Sequence, residues 1–255
     1  MMQKVIYQDL GRIAYSEAWA YQSDLQKQLI DAKRLAQKAE VENLLVTSMT
    51  PSVKNGFEVA EMPFEQKHYL LFCEHNPVYT LGKSGSTTHL LLDEEGLVAK
   101  GIEFFKINRG GDITYHGPGQ ITGYPIFDLD FFFTDVHKYV RYLEEAVIRT
   151  IADYGLKGIR INGYTGVWLE GDDTQPKRKI CAIGVHLSRW VTLHGFAFNV
   201  NTDLNFFKNI IPCGIEDEDK TVTSLAVELG RKMDVEEVKE KLKGHFATLF
   251  GFEFI

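Results

Sequence analysis

Residues 109–120, with the sequence RGGDITYHGPGQ, restrict the fold more than any other stretch, because four of the twelve are glycine and one is proline. The paired glycines at its start can adopt positive φ angles, and the Gly-Pro-Gly run near its end imposes a second sharp turn. The apolar segments 102–108 and 121–132 on either side are typical of strands. We therefore predict a strand-to-strand loop whose backbone approaches a ligand closely.

Polar side chains between these turns can face such a ligand. Arg109 carries a fixed fork of donors, Thr114 a hydroxyl, His116 an imidazole that titrates near neutral pH, and Gln120 an amide. A solvated surface loop is the alternative interpretation. The glycine spacing matches neither the GxGxxG fingerprint nor a phosphate-binding loop, so an acyl or amide-bearing ligand fits better than a nucleotide.

Strands and helices are mixed along the rest of the chain. Asp135 and Asp234 are predicted to begin helices, Asn162-Gly163 is predicted to turn a hairpin, and Ser16 is predicted to cap a helix near the N-terminus. Further strands are predicted at 4–7, 68–75, 179–187 and 190–200. Because strands and helices do not alternate regularly, the pattern favours an α+β fold over a doubly wound sheet.

The length and composition indicate one domain spanning residues 1–255, with two tightly fused subdomains as the alternative. The chain has 255 residues, of which 44% are hydrophobic and 25% are charged, and this is enough for a full core. Residues 47–66 mix proline, glycine and asparagine without periodicity, and we interpret them as a loop or an insertion.

Charge and cysteine usage exclude several classes of protein. The formal net charge of −7 disfavours a nucleic-acid partner bound by phosphate neutralisation. The N-terminal sequence lacks the apolar core of a signal peptide and no segment has the apolar length of a membrane span, so we expect a cytoplasmic protein without membrane association. The three cysteines form no CxxC pair, which argues against a structural zinc site, so we expect no metal. We also expect no cofactor.

One of the three thiols has the surroundings of a nucleophile. Cys213 lies between Pro212 and Gly214 and is predicted to occupy an exposed turn, whereas Cys73 and Cys181 lie inside apolar strands and are interpreted as inert small hydrophobic residues. A working thiol needs a nearby cation or base, because its reference pKa of about 8.5 leaves it mostly protonated at neutral pH. The residues alone leave His116, His194 and Lys179 as alternatives for that role.

Three segments in order, RGGDITYHGPGQITGYPIFDL, KICAIGVHLSRWVTLHGFAFNV and IIPCGI, resemble the signature segments of the lipoyl(octanoyl) transferase family. The likeness extends from about residue 68 to residue 229. It implies a catalytic domain of the biotin/lipoate protein ligase type, with a mixed β-sheet and packed helices. It also implies transfer of an octanoyl group from octanoyl-acyl carrier protein to lipoyl domains of 2-oxo acid dehydrogenases and of the glycine cleavage H protein.

The resemblance assigns roles to residues at matching positions. It implies a catalytic dyad of Cys213 and Lys179. The substrate-binding residues it implies are Arg109, Gly110, Gly111, Asp112, Ile113, Thr114, Tyr115, His116, Ala182, Ile183, Gly184, Gly195, Phe196 and Ala197, with Tyr115 and Phe196 expected to line an apolar groove. Cys181 departs from the family pattern, where a small residue such as alanine is more usual, and it places a second thiol near the site.

Two other functions are consistent with parts of this pattern. One is an ATP-dependent lipoate-protein ligase of the same fold, which uses lysine without a cysteine nucleophile. The other is a non-catalytic module that binds lipoyl domains and tolerates the loss of Cys213.

Overall fold

The computed structural model describes residues 2–49, 67–212 and 219–255, except for the side chains of residues 43–49. Within these ranges the chain forms helices and strands with a mixed order. The helices are α1 (Tyr15–Met49), α2 (Glu94–Lys100), α3 (Val136–Ala152), α4 (Leu225–Leu229) and α5 (Val235–Phe250). The strands are β1 (Gln3–Ile13), β2 (His68–His75), β3 (Val78–Leu81), β4 (Glu103–Lys106), β5 (Ile113–His116), β6 (Gln120–Ile126), β7 (Gly158–Ile161), β8 (Tyr164–Leu169), β9 (Lys177–Ser188), β10 (Val191–Asn199), β11 (Lys220–Val222) and β12 (Phe252–Phe254).

The large sheet of the described chain has nine strands, eight of them in the order β12, β1, β2, β6, β10, β9, β8, β7. Strand β1 pairs in parallel with both of its neighbours, β12 and β2. From β2 to β7 every neighbouring pair in this order is antiparallel. The short β11 pairs in parallel with β9 near its start. This mixed sheet with packed helices confirms the predicted α+β class.

Helices cover both faces of the large sheet, because its strands alternate apolar side chains between two cores. Leu70 and Phe72 of β2 point into the larger core, which includes the apolar faces of α3 and α5. Leu71 and Cys73 of the same strand point into a second core, under α1. Helix α3 begins at the predicted N-cap, where the Asp135 carboxylate accepts from the Lys138 backbone N–H.

A second sheet of three strands, in the order β4, β3, β5, packs beside the large one. Its core contains Tyr79 of β3 and Ile113 and Tyr115 of β5, together with Leu97 of α2 and Phe207 of a short 3₁₀ helix, Leu204–Asn209. This sheet places the glycine-rich segment against the interior strand β9 of the large sheet, where the Gly110 N–H donates to the Val185 carbonyl.

The structure corrects three local predictions. Residues 113–116 are a strand rather than part of a loop, because Ile113 and Tyr115 both bury against the small sheet's core while pairing with β3. Residues 78–81 lie between Pro77 and Gly82, which predict a turn region, yet they form strand β3 and pair with β4 and β5. Helix α1 begins at Tyr15, before Ser16, with the Ala14 carbonyl accepting from the Ala18 N–H.

Helix α1 also reaches further than predicted. It continues to Met49, so residues 47–49 of the predicted insertion are helical, and the remainder of that segment, 50–66, lies outside the described residues. In the part of the chain that the structure describes, every helix is too short or too polar to cross a membrane.

Candidate active site

A cavity of about 280 Å³ lies where the two sheets meet. Strands β6, β9 and β10 of the large sheet, the glycine-rich segment and the β7–β8 hairpin all contribute to its wall. Most of the predicted binding residues line it, namely residues 109–114, His116, 182–184 and 195–197, together with Lys179. The fold therefore brings three segments that are far apart in sequence to one cavity.

Arg109 is only 7% exposed and holds the start of the glycine-rich segment against β3. Its Nη2 donates to the Thr80 carbonyl at 2.6 Å and to Thr80 Oγ1 at 3.0 Å, and its Nη1 donates to the Gly110 carbonyl at 2.9 Å. The Gly110 N–H in turn donates to the Val185 carbonyl of β9 at 2.9 Å. These contacts are incompatible with a solvated surface loop.

Three buried histidines lie at or next to the cavity, since His116 and His194 line it and the ring of His75 is 5.9 Å from that of His116. Burial, reinforced by the nearby Arg109 guanidinium, lowers the pKa of His116 well below its ordinary value and that of His194 to about 3. Burial also lowers the pKa of His75, which contacts Tyr124 at 2.6 Å, to about 4. All three imidazoles are therefore neutral at physiological pH, and none supplies a cation there.

A chain of hydrogen bonds joins the glycine-rich segment to the strand that carries Lys179. Gln120 contacts His116 Nδ1 through Oε1 at 2.9 Å and donates through Nε2 to Asn199 Oδ1 at 2.9 Å. Asn199 donates to the Thr223 carbonyl at 3.0 Å, and the Thr223 N–H donates to the Lys179 carbonyl at 2.9 Å. Four segments of the cavity wall are thus fixed relative to one another.

Sequence reasoning missed several residues of the cavity wall. Tyr15, Thr122, Tyr124 and Asn199 line it, yet none was predicted as a site residue. Asn199 follows Gly195 and Ala197 with the period of two that places alternate strand residues on one face, so this signal was present in the sequence. Tyr15 comes from α1, and no local pattern links it to the other segments.

Tyr115 does not line the cavity, although we expected it to line an apolar groove for the substrate. It lies on the opposite face of β5 from Thr114 and His116, because side chains alternate along a strand. Its ring stacks on Phe206 at 4.6 Å between centroids and forms part of the small sheet's core. Phe196 does border the cavity, while its ring stacks on Phe246 of α5 at 5.6 Å.

The thiols of Cys73 and Cys181 are buried, and burial raises the pKa of both. Cys181 belongs to the larger core, and its Sγ lies 3.5 Å from the Ala182 carbonyl. The expected second thiol near the site is therefore turned away from the cavity. Cys213 lies outside the described residues, and Pro212, which precedes it in the sequence, lines the same cavity as Lys179.

Comparisons with known proteins identify the family of the chain. A family model described as the lipoyl protein ligase A/B catalytic domain matches residues 58–247. The chain is 53% identical over 256 residues to the octanoyltransferase of Flavobacterium johnsoniae, with 100% of both chains covered. It is 54% identical to the octanoyltransferase of Christiangramia forsetii, with 99% of this chain and 98% of that relative covered.

A solved structure shares the fold. The bipartite lipoate protein ligase of Thermoplasma acidophilum superimposes with a TM-score of 0.63 at 16% identity, covering 100% of this chain and 86% of that chain. The chain belongs to the lipoyl protein ligase A/B catalytic domain family. The two full-length relatives named above are octanoyltransferases, which confirms the prediction that this chain is a transferase enzyme.

Proposed function

We propose that this enzyme moves an octanoyl group from octanoyl-acyl carrier protein to a lysine of lipoyl domains through a thioester on Cys213. The observation that carries the proposal is that Lys179 and Pro212, the residue before Cys213, line one cavity with the glycine-rich segment. The acceptors are lipoyl domains of 2-oxo acid dehydrogenases and of the glycine cleavage H protein.

The proposed reaction has two halves. In the first, the Cys213 thiolate attacks the carbonyl carbon of the donor thioester, and the carrier's thiolate leaves with a proton from the Lys179 ammonium. In the second, the ε-amine of the acceptor lysine attacks the acyl-enzyme, gives a proton to the neutral Lys179 amine, and expels the Cys213 thiolate. The products are an amide and the starting enzyme.

Two features of the cavity support an acyl substrate. The wall contains several glycines and Ala182, so space is left between the strands where larger side chains would fill it. Because the buried histidines are neutral, an alkyl chain bound in the cavity would lie next to no buried histidine charge. Arg109 carries charge, and its guanidinium is directed to backbone and hydroxyl oxygens.

The proposed function is tested by intact-mass spectrometry after mixing the enzyme with octanoyl-acyl carrier protein in the absence of ATP. We expect an adduct of one octanoyl group on the wild type and on Cys73→Ala, and none on Cys213→Ala. Adding a lipoyl domain should remove the adduct and produce octanoylated domain.

Three outcomes would contradict the proposal. An adduct that persists in Cys213→Ala and maps to Cys181 would reassign the nucleophile. Transfer that requires ATP would indicate the ligase alternative, and binding of lipoyl domains with no adduct at all would indicate the non-catalytic module.

A further inference from the structure

The side chain of Lys179 lies over an aromatic ring. Its Nζ is 4.7 Å from the ring centroid of Trp168. Trp168 is fully buried, and it lies opposite Lys179 in the register of β8 and β9. Trp presents the most favourable aromatic face to an ammonium group, and the attraction increases when the pair is shielded from water.

A β-bulge in β9 puts Lys179 on this face of the sheet. Val167 pairs with Cys181 and Trp168 pairs with Lys179, so Ile180 is an extra residue on β9. In a regular strand Lys179 and Ala182, three residues apart, would point to opposite faces. The bulge instead sends both Ile180 and Cys181 into the larger core, while Lys179 and Ala182 both border the cavity.

Gly166, two residues before Trp168, lets β8 approach the backbone of β9 closely. A Cβ at this position would lie 2.5 Å from the Cys181 carbonyl oxygen and 3.5 Å from Cε of Lys179, and the φ angle of Gly166 is 129°. Its N–H donates to Glu144 Oε1 of α3 at 3.1 Å. Glu144 is fully buried and is itself held by Arg141 at 2.6 Å and Arg160 at 2.9 Å.

We propose that Trp168 is a positioning residue for the transfer reaction, and that its indole face holds the Lys179 side chain in the ammonium form beside the cavity. This inference rests on the proposed role of Lys179 and Cys213. Trp168 forms and breaks no bond. It favours the protonated state of Lys179. In that state the ammonium group can give its proton to the leaving thiolate of the carrier, and its charge stabilises the neighbouring thiolate of Cys213.

The test compares Trp168→Leu, which removes the aromatic face, with Trp168→Phe, which retains one, in a background carrying Cys73→Ala and Cys181→Ala. We expect Trp168→Leu to move the midpoint of Cys213 alkylation to higher pH and to slow octanoyl-enzyme formation by about tenfold, with a smaller effect for Trp168→Phe. Phe198→Leu is the matched control, because Phe198 is equally buried in the same sheet and does not border the cavity. It should lower stability without moving the alkylation midpoint.

A double-mutant cycle separates positioning from general packing. If Trp168 acts through Lys179, then Trp168→Leu should slow acylation no further once Lys179→Met is present. Additive losses, or an unchanged alkylation midpoint in Trp168→Leu, would overturn the proposal. Failure of the proposed function looks different, since the wild type itself would then form no octanoyl adduct.

A measurement on the wild type keeps the inference testable if Trp168→Leu does not fold. In protein labelled with ¹³C-lysine, the Cε protons of Lys179, identified by their absence in Lys179→Met, should be shifted upfield by the Trp168 ring. An ordinary chemical shift for these protons would show that the ring does not hold the side chain.

Discussion

Gly184 shows how one missing side chain shapes the candidate site. A Cβ at Gly184 would lie 2.7 Å from the Gly110 carbonyl oxygen and 2.9 Å from Arg109 Cδ. Gly110 lies on the other side of the same contact, but a Cβ there would meet the Val185 carbonyl oxygen at 3.6 Å, an ordinary contact distance. Both glycines line the cavity, but only at Gly184 would a side chain clash with the facing backbone.

The same substitution should therefore have different effects at the two positions. We expect Gly184→Ala to lower the free energy of unfolding by about 1–3 kcal/mol, because β9 and the glycine-rich segment must move apart. Gly110→Ala, whose φ is not in the left-handed region, should change it by about 0.5 kcal/mol or less. Urea denaturation measures both, and equal losses would show that the close approach of the two backbones is not what requires glycine.

The thiols and histidines also differ in ways that only their surroundings explain. Cys181 and Lys179 are two residues apart, yet one faces the core and the other the cavity. His116 was an alternative activator for Cys213, and its burial keeps it neutral at physiological pH. Lys179 is the remaining one of the three alternatives that can carry a charge there, since His194 is also neutral.

At the scale of single elements, the helices begin and end at residues with clear local reasons. Helix α5 begins after Asp234, whose carboxylate accepts from the N–H groups of Glu236 and Glu237. It ends at Phe250, and Gly251 caps it with a φ angle of 69°. Gly244 lies inside the same helix, is exposed, and has open space around the position of a Cβ. The glycine inside this helix and the glycine that caps it thus have opposite conformational requirements.

Alanine should have opposite effects at these two positions of α5. Gly244→Ala should raise the free energy of unfolding by up to about 1 kcal/mol, because alanine is the better helix former. Gly251→Ala should lower it by about 1 kcal/mol, because a Cβ is unfavourable in the left-handed conformation. Thermal denaturation monitored by circular dichroism checks the signs, and two shifts in one direction would contradict the helix end described here.

At the scale of the whole molecule, burial of neutral histidines ties stability to pH. His68 lies among the rings of Phe127, Phe131 and Phe132, and its Nδ1 accepts from the Asp128 N–H at 3.3 Å. Burial lowers its pKa from 6.5 to about 4. The unfolded chain therefore binds more protons between these two values. The stability that neutral burial contributes is fully present above pH 6.5 and is lost as the pH falls toward 4.

Replacing His68 should make the protein less sensitive to acid. For the wild type, this one group should lower the free energy of unfolding by about 2 kcal/mol between pH 7 and pH 5. His68→Gln should reduce the total fall by that amount, and His137→Gln, which makes the same substitution at an exposed position of α3, is the matched control. Urea titrations at both pH values measure the difference. An identical fall in His68→Gln and the wild type would show that His68 is not buried in the neutral form.

Much of the architecture followed from local sequence. The β2 segment, the Asn162-Gly163 hairpin, the Asp135 cap and the turn between β9 and β10 were all predicted, because each depends on residues within one element or one turn. The order of predicted elements was enough for the α+β class, and the three motif segments were enough for the family.

Only the tertiary structure decided which faces these segments present. Tyr115 joined the small sheet's core rather than the cavity, since its side-chain direction depends on how β5 pairs with β3. The extra residue Ile180 became visible only in the pairing of β8 with β9, and it determines which way Lys179 points. Local propensity specifies where a strand lies, whereas its register and bulges are fixed by the partner strand and by the core on each face.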